Sequence, residues 1–190
     1  MDVEKMAAGI RLFLEGLDQR FEADDLDRTP ARVARAWTED LVSGYDLDPA
    51  AQLTWTDVKS ELGPVVVREI RFTSVCVHHL LPFFGKAHVG YLPGSRMAGL
   101  SKIGRVVDAH ARRLQTQERL TASIVETLTS ALEPRGVMAL LEAEHTCMSC
   151  RGVRKEQGRM ATLAASGRCE QLPEVRAEFL RLLDGRETAG

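Results

Sequence analysis

Apolar residues recur at helical spacing at Met6, Ile10, Phe13, Leu14 and Leu17, which predicts a helix from Val3 to Phe21. A second helical pattern starts at Thr29-Pro30 and runs through Val33, Trp37 and Leu41. Residues 42 to 63 lose any period and carry turn-rich stretches, so they read as connection and short irregular structure. Val65-Val66-Val67 with Ile70 and Phe72 predicts a strand, and Phe84 to Tyr91 another, in which Ala87, Val89 and Tyr91 alternate with Lys86, His88 and Gly90. Pro93-Gly94-Ser95 closes that strand with a turn. Ser101 is a fair N-cap for a helix with Ile103, Val106, Val107, His110 and Leu114 on one stripe. Thr116 can cap the next, which buries Leu120, Ile124, Leu128 and Leu132 and ends at Pro134-Arg135-Gly136. Val137 to Met148 and Gly152 to Ala165 are candidate strands, followed by a short helix from Pro173 to Leu183.

Strands arriving in two pairs with two helices between them give an α+β class: an antiparallel four-stranded sheet with helices on one face, plus the N-terminal helices. The division expected is a helical section over 1–50, the main domain over 51–185 and a flexible tail at 186–190. Such a sheet has open edges, so pairing with other subunits is expected. There is no internal repeat and no low-complexity segment.

At 190 residues, 44% hydrophobic and 27% charged, the chain can bury one sizeable core. A net charge of -2 argues against nucleic acid or a membrane surface as partner, so any anionic ligand must be met by a few placed cations. The N-terminus has no run long enough for a signal-peptide core or a membrane helix, and a cytoplasmic location is expected. The four cysteines are then reduced thiols or metal ligands rather than a disulfide framework.

Cys76-Val77-His78-His79 places a thiolate and two imidazoles within four residues, and Cys147-Met148-Ser149-Cys150 adds sulfur far along the chain. Such ligands suit zinc. One reading is a closed structural site held by Cys76, His79, Cys147 and Cys150. The other is a catalytic site held by Cys76, His79 and Cys147, with a position open for water. If 143 to 151 is extended, His145, Cys147, Ser149 and Arg151 share one face and Cys150 points away. A knuckle-like turn at 147–150 would reverse that, and spacing leaves both readings standing. His78 and His145 flank the proposed ligands without being needed as ligands, and imidazoles beside a metal site can move protons near neutral pH.

Lys102 and Arg105 lie three residues apart at the start of a helix, where free backbone N–H groups already favour an anion. Arg151 would add a third cation on the metal side. Arg112, Arg113 and Arg119 read as ordinary surface residues. Gln117-Glu118 opens the following helix; a carboxylate there is either a partner for the helix dipole or an acceptor for the N1–H and amino group of guanine, with the Gln117 amide nearby.

The chain resembles the GTP cyclohydrolase I family. The resemblance runs through Ser74 to Phe83, Gly85 to Pro93, Gly99-Leu100-Ser101-Lys102, Arg113 to Thr121 and His145 to Gly152, in the family's order from about residue 25 to 183. It implies that 51–185 is a T-fold catalytic domain in a homo-oligomer, typically a decamer of two stacked pentamers, with active sites at subunit contacts. By motif position Cys76, His79 and Cys147 resemble the family's zinc ligands, and Glu118 its guanine anchor with Gln117 beside it. Ser101, Lys102, Arg105 and Arg151 resemble the residues around the ribose and triphosphate, and Arg32, in Thr29-Pro30-Ala31-Arg32, is a further phosphate candidate.

The implied reaction converts GTP and water to 7,8-dihydroneopterin triphosphate and formate. The metal supplies a nucleophile for C8 of the purine at neutral pH, and His78, His145 and Ser101 assist ring opening and rearrangement. Three departures stand out. Val77 replaces a usual glutamate, Thr116 a common valine and Cys150 a usual methionine, while 158–167 is poorer in threonine than many members. They keep two alternatives in view: a specialised paralogue with a different GTP-derived product, and a non-catalytic T-fold regulator that binds nucleotides or pterins.

Overall fold

The structure is a computed structural model of the chain and describes residues 1–17, 26–155 and 157–184. Asp2 opens helix α1 (Val3–Glu15) by accepting from the Lys5 N–H at 2.9 Å. The helix is shorter than the pattern predicts, and residues 18–21 of the expected span lie outside the described residues, as does the expected tail. Helix α2 (Thr29–Ala36) has proline in its first turn and widens over Trp37–Leu41 into a looser turn, closed by Val42 N–H to the Trp37 carbonyl at 2.8 Å.

The stretch read as irregular holds two tight helical turns, Ser43–Asp46 and Ala50–Gln52, and a short strand β1 (Trp55–Asp57) that pairs antiparallel with β4 (Arg96–Ala98). Strands of three residues give too little alternation to be seen in sequence. Arg113, read above as an ordinary surface residue, ties this region to the main domain. Its guanidinium donates to the carbonyls of Gly44, Ala109 and Leu47. A Cβ at Gly44 would lie 2.5 Å from the Ala109 carbonyl oxygen, so only glycine allows that approach.

The main sheet has five strands in the order β5-β2-β3-β6-β7. β2 (Val65–Cys76), β3 (Pro82–Leu92), β6 (Gly136–His145) and β7 (Arg159–Gly167) are antiparallel, and the short β5 (Leu114–Gln115) runs parallel to the end of β2. Leu114 is therefore a strand residue rather than the last turn of a helix. Helix α3 (Leu100–Ala111) begins two residues earlier than expected, with Gly99 rather than Ser101 at its cap. Helix α4 (Gln117–Leu132) begins as predicted at Thr116, whose hydroxyl accepts from the Arg119 N–H at 3.3 Å.

One face of the sheet carries the core. Phe83, Ala87, Val89 and Tyr91 of β3 and Val137, Ala139, Leu141 and Ala143 of β6 meet Ile103, Val106 and Val107 of α3 and Leu120, Ile124 and Leu128 of α4. Each large side chain among them, fully removed from water, contributes about 1.5–3 kcal/mol. In β2 the inward set changes parity. Val65 and Val67 pack inward, the register slips between Val67 and Ile70, and then Ile70, Phe72 and Cys76 face inward. Glu69, at φ 60°, is the bulge residue.

Helices do not keep to one face. The C-terminal helix α7 (Pro173–Asp184), reached through the single turn α6 (Arg168–Gln171), lays Phe179 on the opposite face against Val66, Leu92, Met138 and Cys169. Gly90 leaves the room this needs, because a Cβ there would overlap the Phe179 ring. Arg68 ties down the far end of α7 by donating to the carbonyls of Leu182 and Leu183. Among the described residues no helix is long and apolar enough to cross a membrane.

Candidate active site

Cys76 ends β2 on the inward face, and the chain turns back at once. Cys76 N–H donates to the Leu81 carbonyl at 2.8 Å, and Leu80 N–H to the Cys76 carbonyl at 2.9 Å, with Leu80 at φ 55°. This tight turn brings His79 back over Cys76. On the neighbouring side β6 ends at His145 and passes into a helical turn, α5 (Thr146–Ser149), held by the Thr146 hydroxyl on the Pro82 carbonyl. The extended course considered for 143–151 does not occur. Cys147 lies in that turn, and its sulfur joins Cys76 and His79 in a group whose ligand atoms all lie within 4.8 Å of one another. Cys150 is exposed and outside the group. It is set aside by the turn rather than by strand alternation.

The donor set fits zinc. Burial raises the Cys147 thiol above its ordinary pKa, the neighbouring Cys76 raises it further, and Arg151 works the other way. Two sulfurs that close oppose each other's ionisation, and a divalent cation reverses the preference. All four cysteines are unbridged.

His78 sits beside this group, its Nδ1 3.9 Å from the Cys76 sulfur, and is exposed. His145 is half-buried and stacked flat on Phe83, with ring centroids 4.5 Å apart and planes 5° from parallel. Burial lowers its pKa, while the charge of Glu118 acts to raise it. Glu118 is exposed at the mouth of this region. Gln117, expected to touch substrate, is 1% exposed: its side-chain nitrogen faces the carbonyls of Leu141 and Met160, and its oxygen faces His145 Nε2 at 2.8 Å. The amide has no polar atom free for a ligand. Its place was legible, since Gln117 lies on the stripe of Leu120, Thr121, Ile124 and Leu128, whereas Glu118 lies off it. Phe83, Thr121 and Thr162, which complete this environment, carried no signal of their own.

The expected phosphate residues divide. Arg151 acts electrostatically on Cys147 and belongs to the metal end. Ser101, Lys102 and Arg105 begin α3, whose other end leads to Gln115, the partner of Cys76. A helix of 12 residues is about 18 Å long, so within one chain Ser101 and Lys102 stand nearly a helix length from the thiolate end, and Arg105 about half of one. Their end is fixed by Ala98 N–H on the Tyr91 hydroxyl and by Gly99 N–H on the Thr54 carbonyl, at the far end of the sheet. Arg32 is exposed on α2, whose Val33 and Trp37 border Leu80 of the metal turn.

Two thiols and an imidazole converging at a sheet end, beside a second histidine oriented by a buried amide, define a metal-dependent hydrolase class on an α+β scaffold. The sequence profile of GTP cyclohydrolase I matches residues 6–184. The chain is 44% identical over 187 residues to GTP cyclohydrolase 1 of Sulfurihydrogenibium sp. (strain YO3AOP1), covering 98% of each. It is 42% identical over 184 residues to that of Listeria welshimeri, covering 96% of this chain and 97% of the relative. With the Thermobifida fusca protein of the same name it shares 42% over 188 residues, covering 98% and 90%. The chain belongs to the GTP cyclohydrolase I family.

Proposed function

We propose that the chain hydrolyses and rearranges GTP to 7,8-dihydroneopterin triphosphate and formate, with zinc held by Cys76, His79 and Cys147, and so serves pterin biosynthesis in the cytoplasm. The observation that carries this reading is the convergence of that ligand trio with His78, His145 and Glu118 at one end of the sheet. Zinc bound there supplies a water made nucleophilic at neutral pH. Glu118 accepts from N1–H and the exocyclic amine of guanine and so fixes which edge of the purine enters. His78 and His145 hand protons to the opening imidazole ring and to the nitrogen that stays on the ring as formate leaves. Arg151 stands near enough to the metal end to meet a phosphate.

Ser101 and Lys102 enter the same site from another subunit, because most of the length of α3 separates them from Cys76 in their own chain, and Arg105 on the same helix goes with them. The reading therefore includes a homo-oligomer, a decamer of two stacked pentamers, in which these residues and Arg32 take the ribose and triphosphate. Purified, zinc-loaded oligomer given GTP should release formate and a pterin that fluoresces after oxidation. Zinc-loaded oligomer that releases neither refutes the reading, and product mass separates full cyclisation from an arrest at a formylated intermediate.

A further inference from the structure

The hydrogen bonds around Gln117 have only one consistent direction. Its Nε2 lies 3.0 Å from the Leu141 carbonyl oxygen and 2.9 Å from that of Met160, and carbonyls only accept. The atom facing them is therefore the NH2, and the opposite atom, Oε1, is the one turned to His145. Oε1 also only accepts, so His145 Nε2, 2.8 Å away, must donate and must carry a proton. The surrounding hydroxyls agree. Thr121 Oγ1 donates to the Gln117 backbone carbonyl at 2.7 Å, so it accepts from Thr162 Oγ1 at 2.6 Å, while the Thr162 oxygen, 3.1 Å from Gln117 Nε2, sets only a further acceptor beside that NH2. No member of this chain can reverse without setting an acceptor against an acceptor, and Gln117 at 1% exposure has no water to turn towards.

We propose that Gln117 is a positioning residue that locks His145 as its Nε2–H tautomer, so that the ring holds one orientation and Nδ1 is left as its unprotonated nitrogen. Gln117 itself does not touch the substrate. Phe83, stacked on the ring, fixes the plane that the amide leaves free. The inference rests on the site proposed above, but the tautomer can be measured without it.

The test is ¹⁵N NMR of the intact zinc-loaded oligomer labelled at its five histidines, with His145 assigned by its loss in His145→Gln. The resting protein should show a protonated Nε2 and an unprotonated Nδ1 at His145; the reverse pattern overturns the proposal without any variant at Gln117. Gln117→Met keeps the volume and removes the acceptor. It should give a mixed tautomer and a kcat lower by roughly 100-fold at nearly unchanged KM for GTP, as expected for a displaced proton-transfer group. A Gln117→Met protein with raised KM and unchanged kcat would return Gln117 to the substrate and overturn the proposal. A wild type that binds zinc but does not turn over GTP removes the proposed function, while the ¹⁵N signals still decide the tautomer.

Discussion

His110 makes acid stability a quantitative test of the packing between α3 and α4. It is 8% exposed, with Nε2 2.8 Å from the Thr127 hydroxyl, and burial together with the nearby Arg113 lowers its pKa from 6.5 to about 4. The unfolded chain, with the ordinary value, takes up a proton there as pH falls through 6.5, whereas the folded chain stays neutral until about 4. The unfolded state thus binds more protons inside that window. Stability is therefore full above 6.5, falls as pH drops towards 4 and levels off below it. At about 1.4 kcal/mol per pH unit the window is worth roughly 3 kcal/mol. His110→Gln keeps a hydrogen-bonding group near Thr127 and cannot titrate. Urea unfolding of both proteins, zinc-free and at one subunit concentration, isolates the effect as the difference between them at each pH. That difference should shrink by roughly 3 kcal/mol between pH 7 and 4, or about 1–2 M in midpoint at an m-value near 2 kcal/mol/M. A difference that is flat across this range refutes the argument and means that His110 reaches solvent or is protonated in the fold.

Two further predictions concern departures from the family pattern. Cys150→Ser should keep full zinc content and turnover, whereas Cys147→Ser should lose the metal; metal analysis of both proteins decides between an open and a closed site, and zinc loss from Cys150→Ser restores the closed one. Thr116→Ala removes the cap on α4 and should cost about 1 kcal/mol in urea unfolding. An unchanged midpoint would mean that the 3.3 Å contact to Arg119 N–H contributes nothing.

The ligand trio was legible because thiolates and imidazoles at two distant points in a chain have few other uses, yet the argument against Cys150 had the wrong local structure. Alternation was extended past His145, where β6 stops and the chain coils into α5. Gln117 went astray differently. Its neighbour Glu118 is exposed and available to a ligand, and the pair was read as one unit. On a helix consecutive residues point about 100° apart, which here puts one in the core and the other at the mouth of the site.

What sequence could not show is why Cys76 faces His79 and Cys147 at all. Val65 and Val67 face the core, so unbroken alternation would turn the odd-numbered residues of β2 inward and send the Cys76 sulfur to the opposite face. The slip between Val67 and Ile70 prevents this by adding one residue to β2 opposite β3. Its local sign is only Arg68-Glu69, two polar residues in an apolar run. Its partners are distant: Glu69, at φ 60°, pairs with Lys86 and donates its N–H to His88 Nδ1 at 3.5 Å on β3, and Arg68 is drawn outward to the end of α7. The orientation of a candidate metal ligand is thus set seven residues upstream, by contacts with a neighbouring strand and with the C-terminal helix on the far face of the sheet.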